Sequence, residues 1–181
     1  MRRVQKILIM LGTLAFLAAA PLSHAQLNGT SGTINLNAVV NPQLTVAAGP
    51  ATVNFALPPN GLANGSSTIA IQTSWALNPS VGAVKLYAYF TTAGAALSDG
   101  AGSNIASSRV LGSPNGGAFA PFTGASPFAA SSSITVFTET IFGFNKTKTR
   151  NDTLDLRIDT TGLGLRAGTY TGQLLLRAQA L

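Results

Sequence analysis

Residues 167–181 read AGTYTGQLLLRAQAL, and this stretch decides the fold class. Apolar and polar side chains alternate along it, which is the period-2 pattern of a strand that buries one face. The apolar even-numbered positions are Tyr170, Leu174, Leu176, Ala178 and Ala180. One strand cannot form a core alone. The pattern therefore predicts earlier strands that share a core with this even-numbered face.

Several earlier stretches alternate in the same way and predict those partner strands. They are residues 33–46, 51–57, 68–77, 84–90 and 153–159, and a short strand is expected near Ile105 and Val110. Residues 132–144 are apolar on both faces and predict a strand that is covered on both sides. Eight or nine short strands, separated by Gly, Pro and Asn turn signals, predict an all-β fold. We expect an antiparallel Ig-like β-sandwich with Greek-key connections, and a barrel is the alternative.

The first 25 residues have the pattern of a cleaved secretory signal peptide. Residues 1–6 carry three basic side chains, residues 7–20 are apolar, and residues 23–25 read Ser-His-Ala. This apolar run is shorter than the roughly 20 residues that span a bilayer, and it ends at a small-residue cleavage motif. We therefore expect export to the periplasm, the cell surface or the medium. Residues 26–181 are expected to form one domain with a long Gly/Ala/Ser/Pro-rich excursion at residues 91–131.

The composition excludes several kinds of site. The chain has no Cys, and its single His, His24, belongs to the signal segment. Three of the eleven Lys and Arg also lie there, so eight basic residues remain against five acidic ones, a net charge of +3. Nucleic-acid binding needs clustered cations with stacking aromatics. We expect no thiol or imidazole catalysis, no metal, no cofactor and no nucleic-acid partner.

Four aromatic side chains are candidate surface contacts. Alternation puts Tyr87 and Tyr89 on the face of their strand opposite to the core, where they either stack on a sugar or a partner or are covered by the segment that follows. Phe122 and Phe128 lie in the excursion, where they either form a recognition tip or dock onto the sandwich.

Lys146, Lys148 and Arg150 form the one basic cluster of residues 26–181, in a predicted polar turn at residues 145–150. This cluster either binds a polyanion on a surface or is simply solvated. Glu139 precedes it within an apolar strand, where burial would raise its pKa and suit it to acid catalysis. No second carboxylate stands at an identifiable partner position, so we expect a salt bridge and no enzyme activity.

Residues 32–46, GTINLNAVVNPQLTV, and the closing residues 167–181 resemble the first and last strands of bacterial pilin-like Ig domains. This group includes chaperone–usher pilins and spore-coat-U-like proteins. The resemblance implies an Ig-like fold, a periplasmic chaperone as partner and assembly at the cell surface. The chain departs from the pattern at Leu44, where such pilins usually carry a Cys, and at Ala180, where an aromatic is common.

Three functions follow from these features. The first is an exported, non-enzymatic structural or adhesive surface protein, a fimbrial or coat subunit that polymerises by β-strand addition. The second is a monomeric secreted module that binds a glycan or surface polysaccharide through Tyr87, Tyr89 and the Phe-bearing loop. The third is a secreted hydrolase.

The candidate strand-exchange surface has two halves. The donated face is Ile34, Leu36, Ala38 and Val40, and the receiving face is Tyr170, Leu174, Leu176, Ala178 and Ala180. Alternate side chains of an added strand can fill pockets while its main chain pairs with the edge. The same strand can instead pair within its own domain, which would leave a monomer.

Cleavage after Ala25 is the first testable expectation, because a basic segment, an apolar run and a small-x-small motif follow one another. The intact mass of the protein purified from its native host should correspond to residues 26–181. A mature species that retains residues 1–25 would contradict this expectation.

Overall fold

The computed structural model describes residues 36–39 and 41–181. Within these ranges the structure consists of antiparallel β-strands and one 3-10 turn at Ser107–Arg109, with no α-helix. The chain divides into two units, Met1–Val39 and Val40–Leu181. Residues 36–39 of the first unit have no regular secondary structure, and all strands given below belong to the second.

Eleven strands follow one another in the second unit. They are β1 (Gln43–Gly49), β2 (Leu62–Asn64), β3 (Ile69–Ala76), β4 (Ala83–Tyr89), β5 (Leu97–Ser98), β6 (Asn104–Ile105), β7 (Val110–Pro114), β8 (Ala120–Pro121), β9 (Ser133–Thr140), β10 (Thr147–Asp159) and β11 (Leu175–Ala180). This number exceeds the predicted eight or nine, because four strands contain only two or three residues. Pairings this short leave no alternating pattern in a sequence.

The strands form two main sheets that pack on one core. The larger sheet has the order β1-β3-β10-β7-β8, with β2 also paired to β10, and the smaller has the order β11-β4-β9. β5 and β6 pair separately within the 91–131 excursion. The all-β fold with antiparallel sheets is therefore confirmed.

Alternation along β3 and β10 places the core between the sheets. Ile69, Ile71 and Trp75 of β3 are buried, whereas Ala70 and Gln72 are exposed. In the second half of β10, Leu154, Leu156 and Ile158 are buried in the same way. Residues from the smaller sheet complete this core, and they include Val84, Leu86, Ala88, Val136 and Phe137. The predicted inner faces of β3, β4 and the second half of β10 are correct.

β9 contains an irregularity that changes which residues face inward. Phe137 is opposite Leu86 and Thr135 is opposite Tyr87, so Val136 is an extra residue between two pairs. An extra residue shifts the period-2 pattern by one position. Beyond this point the odd-numbered residues Phe137 and Glu139 therefore face the larger sheet.

Several predicted elements differ in the structure. The strand expected at 33–46 is shorter, because residues 36–39 and 41–42 have no regular secondary structure and β1 begins at Gln43. Residues 51–57 are not a strand, because Phe55 makes only an isolated bridge to Gly65, although its side chain still packs on the core. The predicted strand at 132–144 ends at Thr140, because the chain then turns at residues 143–144, where Phe142 N donates to the Asn145 side chain instead of to a strand. The predicted polar turn at 145–150 is wrong in part, because β10 already begins at Thr147.

Leu156→Asp should lower the free energy of unfolding by more than about 3 kcal/mol, because it places a charge in the core without a partner. Thr153→Asp lies on the exposed face of the same strand and should change stability by no more than about 0.5 kcal/mol. Urea titration of both variants measures the difference. A larger loss for Thr153→Asp would mean that the inner and outer faces of β10 are exchanged, and equal losses would contradict a single buried face.

Candidate functional site

Among residues 36–39 and 41–181, β11 pairs with β4 alone, and its other edge, called the free edge below, is the candidate site for strand addition. Leu181 N donates a hydrogen bond of 2.9 Å to the Ala83 carbonyl, and Ala83 N donates one of 3.1 Å in return. In an antiparallel pair such doubly bonded residues recur at every second position. The odd residues of β11 therefore bond to β4, and Leu176, Ala178 and Ala180 point their main-chain N–H and C=O groups toward the free edge.

The side chains of the same even-numbered residues complete this edge. Leu174, Leu176, Ala178 and Tyr170 are half-buried and pack against the core, whereas Ala180 is exposed. The last strand itself is shorter than the predicted stretch, since β11 begins at Leu175. Leu176 and Ala178 thus combine half-buried side chains with main-chain groups that point away from β4.

β1 lies beside this edge without closing it. Leu44 and Val46 of β1 are half-buried and pack on the same core. Some Cα atoms of β1 and β11 lie within 8 Å of one another, yet within residues 41–181 the two strands belong to separate sheets and share no ladder. A strand hydrogen-bonded to both would need a separation of about 9.5 Å, two inter-strand spacings. Full insertion therefore requires β1 to move away from β11.

Half of the proposed donated face lies outside the described residues, and its described part, within residues 36–39, has no regular secondary structure. Ile34 and Val40 are not described, so their strand assignment is untested. Leu36 is 89% exposed, and Ala38 is exposed as well.

The two tyrosines are not exposed contact residues. Tyr87 and Tyr89 are only 8% and 7% exposed, because Phe128 covers both. Its ring centroid lies 6.0 Å from that of Tyr87 and 5.9 Å from that of Tyr89. Arg177 in turn lies over Phe128, with its guanidinium carbon 4.8 Å from the ring centroid. The alternative that the following segment covers the tyrosines is the one that the structure supports.

Phe122 is likewise a core residue and not a surface contact. It is fully buried and packs edge-to-face on Phe90, with a centroid distance of 5.0 Å. A Cβ at Gly112 would lie only 3.0 Å from the Phe122 ring, so the strand β7 needs a glycine there. The aromatic part of the excursion therefore docks onto the sandwich.

The basic cluster is largely paired with carboxylates. Lys148 Nζ lies 2.6 Å from Glu139 Oε1, and Arg150 Nη1 lies 3.1 Å from Glu139 Oε2. Arg150 also forms a two-point contact with the buried Asp152, with both nitrogen–oxygen distances at 2.9 Å. Lys146 instead donates to the Pro79 carbonyl. A surface polyanion would have to displace these internal partners.

Glu139 is an ion-pair acceptor in this network. Burial by itself would raise the pKa of Glu139, but hydrogen bonds from Lys148, Arg150 and Asn145 outweigh it and hold the pKa below the ordinary value of 4.5. This direction is opposite to that expected of a general acid. The sequence analysis did not identify the buried Asn145 as part of this network. Its side-chain oxygen accepts a hydrogen bond from Phe142 N, and its main-chain carbonyl accepts one from Trp75 Nε1.

No protein-family model matches this chain, and no curated protein matches it in sequence. Among residues 36–39 and 41–181, no helix is long and apolar enough to cross a membrane. The same part of the chain holds no group of three His, Cys, Asp or Glu side chains that could bind a metal ion.

Glu139 should make folding stability sensitive to acid. Because its pKa is lowered in the folded protein, its contribution is fully present above the ordinary value of 4.5 and is lost as the pH falls through the lower folded value. Glu139→Gln should therefore be less stable than the wild type at neutral pH, and this difference should shrink below about pH 4. Thermal unfolding across this range measures it, and a difference that is independent of pH would contradict the ion pairing.

Proposed function

We propose that this protein is an exported, non-enzymatic structural or adhesive surface subunit that assembles by β-strand addition at the free edge of β11. The observation that supports this proposal most is the coincidence at Leu176 and Ala178. Each of these residues has a half-buried side chain and main-chain groups that, within the described part of the chain, pair with no other strand. Strand addition uses both features together.

The strand that is added is residues 33–40 of a second copy. Its apolar residues Ile34, Leu36 and Ala38 have the spacing of alternate side chains, so they can fill the space beside Leu176 and Ala178. The exposed Leu36 is available for such a contact. Because donor and acceptor are different surfaces, each subunit completes its neighbour, and a head-to-tail chain grows without closing.

Export and chaperoning belong to the same proposal. Residues 1–25 direct secretion, and the mature chain acts in the periplasm, at the cell surface or outside the cell. An open edge with half-covered apolar side chains is prone to wrong pairing. A periplasmic chaperone that occupies this edge until assembly would prevent it, in line with the resemblance to pilin-like domains.

A monomeric glycan-binding module is less well supported. Its proposed platform was Tyr87 and Tyr89, and both rings lie beneath Phe128. A sugar could stack on them only after that loop had moved.

Deleting residues 26–40 from the mature protein should abolish assembly and leave a less stable subunit. The intact chain should form oligomers that survive denaturant, because each added strand contributes ladder hydrogen bonds and also buries alternate apolar side chains. A peptide spanning residues 33–40 should restore the stability of the truncated protein in thermal unfolding.

The matched control is the same peptide with Ile34→Asp and Leu36→Asp, which keeps the main chain and removes the apolar contacts. It should fail to rescue. A full-length protein that remains a stable monomer at high concentration would overturn the polymer proposal.

A further inference from the structure

The Glu139 carboxylate lies between an amine and a primary amide. Its Oε1 atom accepts a hydrogen bond of 2.6 Å from Lys148 Nζ and a second one of 3.1 Å from Asn145 Nδ2. Because both nitrogen atoms contact the same oxygen atom, they can be no further apart than the sum of these two distances. A nucleophile, a group that carries protons and an acyl group are therefore close together in one subunit.

Three features of the fold bring these side chains together. The irregularity at Val136 turns Glu139 toward the larger sheet. Lys148 lies opposite Trp75 of β3, and it has the same parity as the buried residues in the second half of β10. Asn145 ends the turn that connects β9 to β10, and it is buried. The three groups come from separate positions that meet only in the folded chain.

The side-chain amide of Asn145 is held in one orientation. Its Oδ1 atom accepts a hydrogen bond of 2.6 Å from Phe142 N, and its Nδ2 atom also donates to the Thr140 carbonyl at 3.0 Å. When a nucleophile adds to an amide carbon, negative charge develops on the carbonyl oxygen, and a main-chain N–H aimed at that oxygen stabilises it. Phe142 N is placed to do this for Asn145.

Lys148 has the freedom to reach this amide. Its side chain is 41% exposed, whereas that of Glu139 is only 12% exposed. A lysine amine sits on a flexible four-carbon stem, and Lys148 lies only three residues after Asn145. Its Nζ atom can therefore move from the carboxylate to the amide carbon while the amide stays in place.

We propose that Lys148 and Asn145 form an intramolecular isopeptide bond in the folded protein, with Glu139 as the proton carrier. Glu139 Oε1 takes a proton from the Lys148 ammonium group, and the resulting amine attacks Asn145 Cγ. The Nζ–Cγ bond forms, and the electron pair of the carbonyl π bond moves to Oδ1, where Phe142 N donates.

The intermediate then expels the amide nitrogen. Protonated Glu139 gives its proton to Nδ2 and takes the second proton from Nζ. The carbonyl double bond forms again, the Cγ–Nδ2 bond breaks, and the departing ammonia takes the remaining proton from Glu139. One ammonium group and one primary amide thus become one secondary amide and one ammonium ion. Atoms and charge balance, and nothing is oxidised or reduced.

The charges around Glu139 make this reaction slow. Burial alone would raise the pKa of Glu139, but hydrogen bonds from Lys148, Arg150 and Asn145 lower it below 4.5. The protonated form on which the reaction depends is therefore rare. We expect the bond to form gradually in the folded protein. Arg150 still pairs with Glu139 afterwards, so the carboxylate keeps a charged partner.

The proposal goes beyond the assembly function and does not depend on it, because all reacting groups belong to one subunit. The bond would join the turn after β9 to the beginning of β10. It would be a covalent link in a chain that has no cysteine to form a disulfide.

The test follows the intact mass of the mature chain, residues 26–181, during a long incubation near neutral pH. The wild type should lose the mass of one ammonia molecule. Trypsin should then release residues 110–146 joined to residues 147–150, because an acylated Lys148 is not a cleavage site. The unreacted chain should instead give residues 110–146, 147–148 and 149–150 as separate peptides.

Two variants identify the reacting groups. Glu139→Gln cannot carry a proton and should form the bond at least about 100-fold more slowly. Lys148→Arg keeps the positive charge beside Glu139 but has no amine, and it should form no bond. It tests the proposal even if the Glu139 variant fails to fold.

Lys146→Arg is the matched control and should lose ammonia at the wild-type rate. The Nζ atom of Lys146 donates to the Pro79 carbonyl, a group that does not take up a proton. Wild-type protein kept in urea is a second control. It should give no joined peptide, because unfolding separates the three groups.

Three outcomes would overturn the proposal. The first is a wild-type mass that never changes. The second is hydrolysis of the Asn145 side chain to a carboxylic acid, because water would then be the nucleophile. The third is ammonia loss in Lys148→Arg at the wild-type rate, which would mean that Asn145 reacts with its own main chain.

Discussion

The pairing of β3 with β10 is the constraint on which the larger sheet depends. β10 is thirteen residues long and pairs with β3 along its first half and with β2 and β7 along its second. The register of β10 therefore determines which face of β2, β3 and β7 is buried, because a slip of one residue would move every side chain to the opposite face of the sheet. The inner face of β10 is apolar from Leu154 onward but ionic before it, at Arg150 and Asp152.

The ionic half of β10 connects the two sheets in a chain that has no cysteine. Glu139 of the smaller sheet reaches Lys148 and Arg150 of the larger one, and Arg150 also lies over the Phe137 ring at 4.5 Å. Buried ion pairs add little net stability compared with apolar packing, but removing one partner is costly. We infer that this network mainly specifies how the sheets align, because the irregularity at Val136 is what turns Glu139 inward.

Alternation in the sequence correctly predicted β3, β4 and the second half of β10, where each strand has paired neighbours and one buried face. It failed beyond Val136, since a bulge depends on the pairing with β4 and leaves no local signal. The same parity, extended backward from Leu154, would have placed Asp152 and Arg150 inward, whereas the basic, polar residues 145–150 suggested a turn. The burial of Tyr87 depended on Phe128, some forty residues away, and no local pattern contains that contact.

The even-numbered face of the last strand was predictable, but the free edge was not, because it depends on which neighbours the other strands find. At that edge, the main-chain groups of Leu176, Ala178 and Ala180 could form six hydrogen bonds, together worth about 3–9 kcal/mol. Ordering eight residues of a donated segment opposes this by about 8–16 kcal/mol. Backbone pairing alone is therefore insufficient for assembly.

Burial of Ile34, Leu36 and Val40 would supply about 4.5–9 kcal/mol more. The favourable free energy of strand addition would then be close to the cost of ordering the donated segment. A segment with the same backbone and smaller side chains would fall short of that balance. The packing of the apolar side chains, more than the availability of an edge, would then decide which strand is accepted. Leu174 and Leu176 are only half-buried, so apolar side chains of an added strand can pack against them.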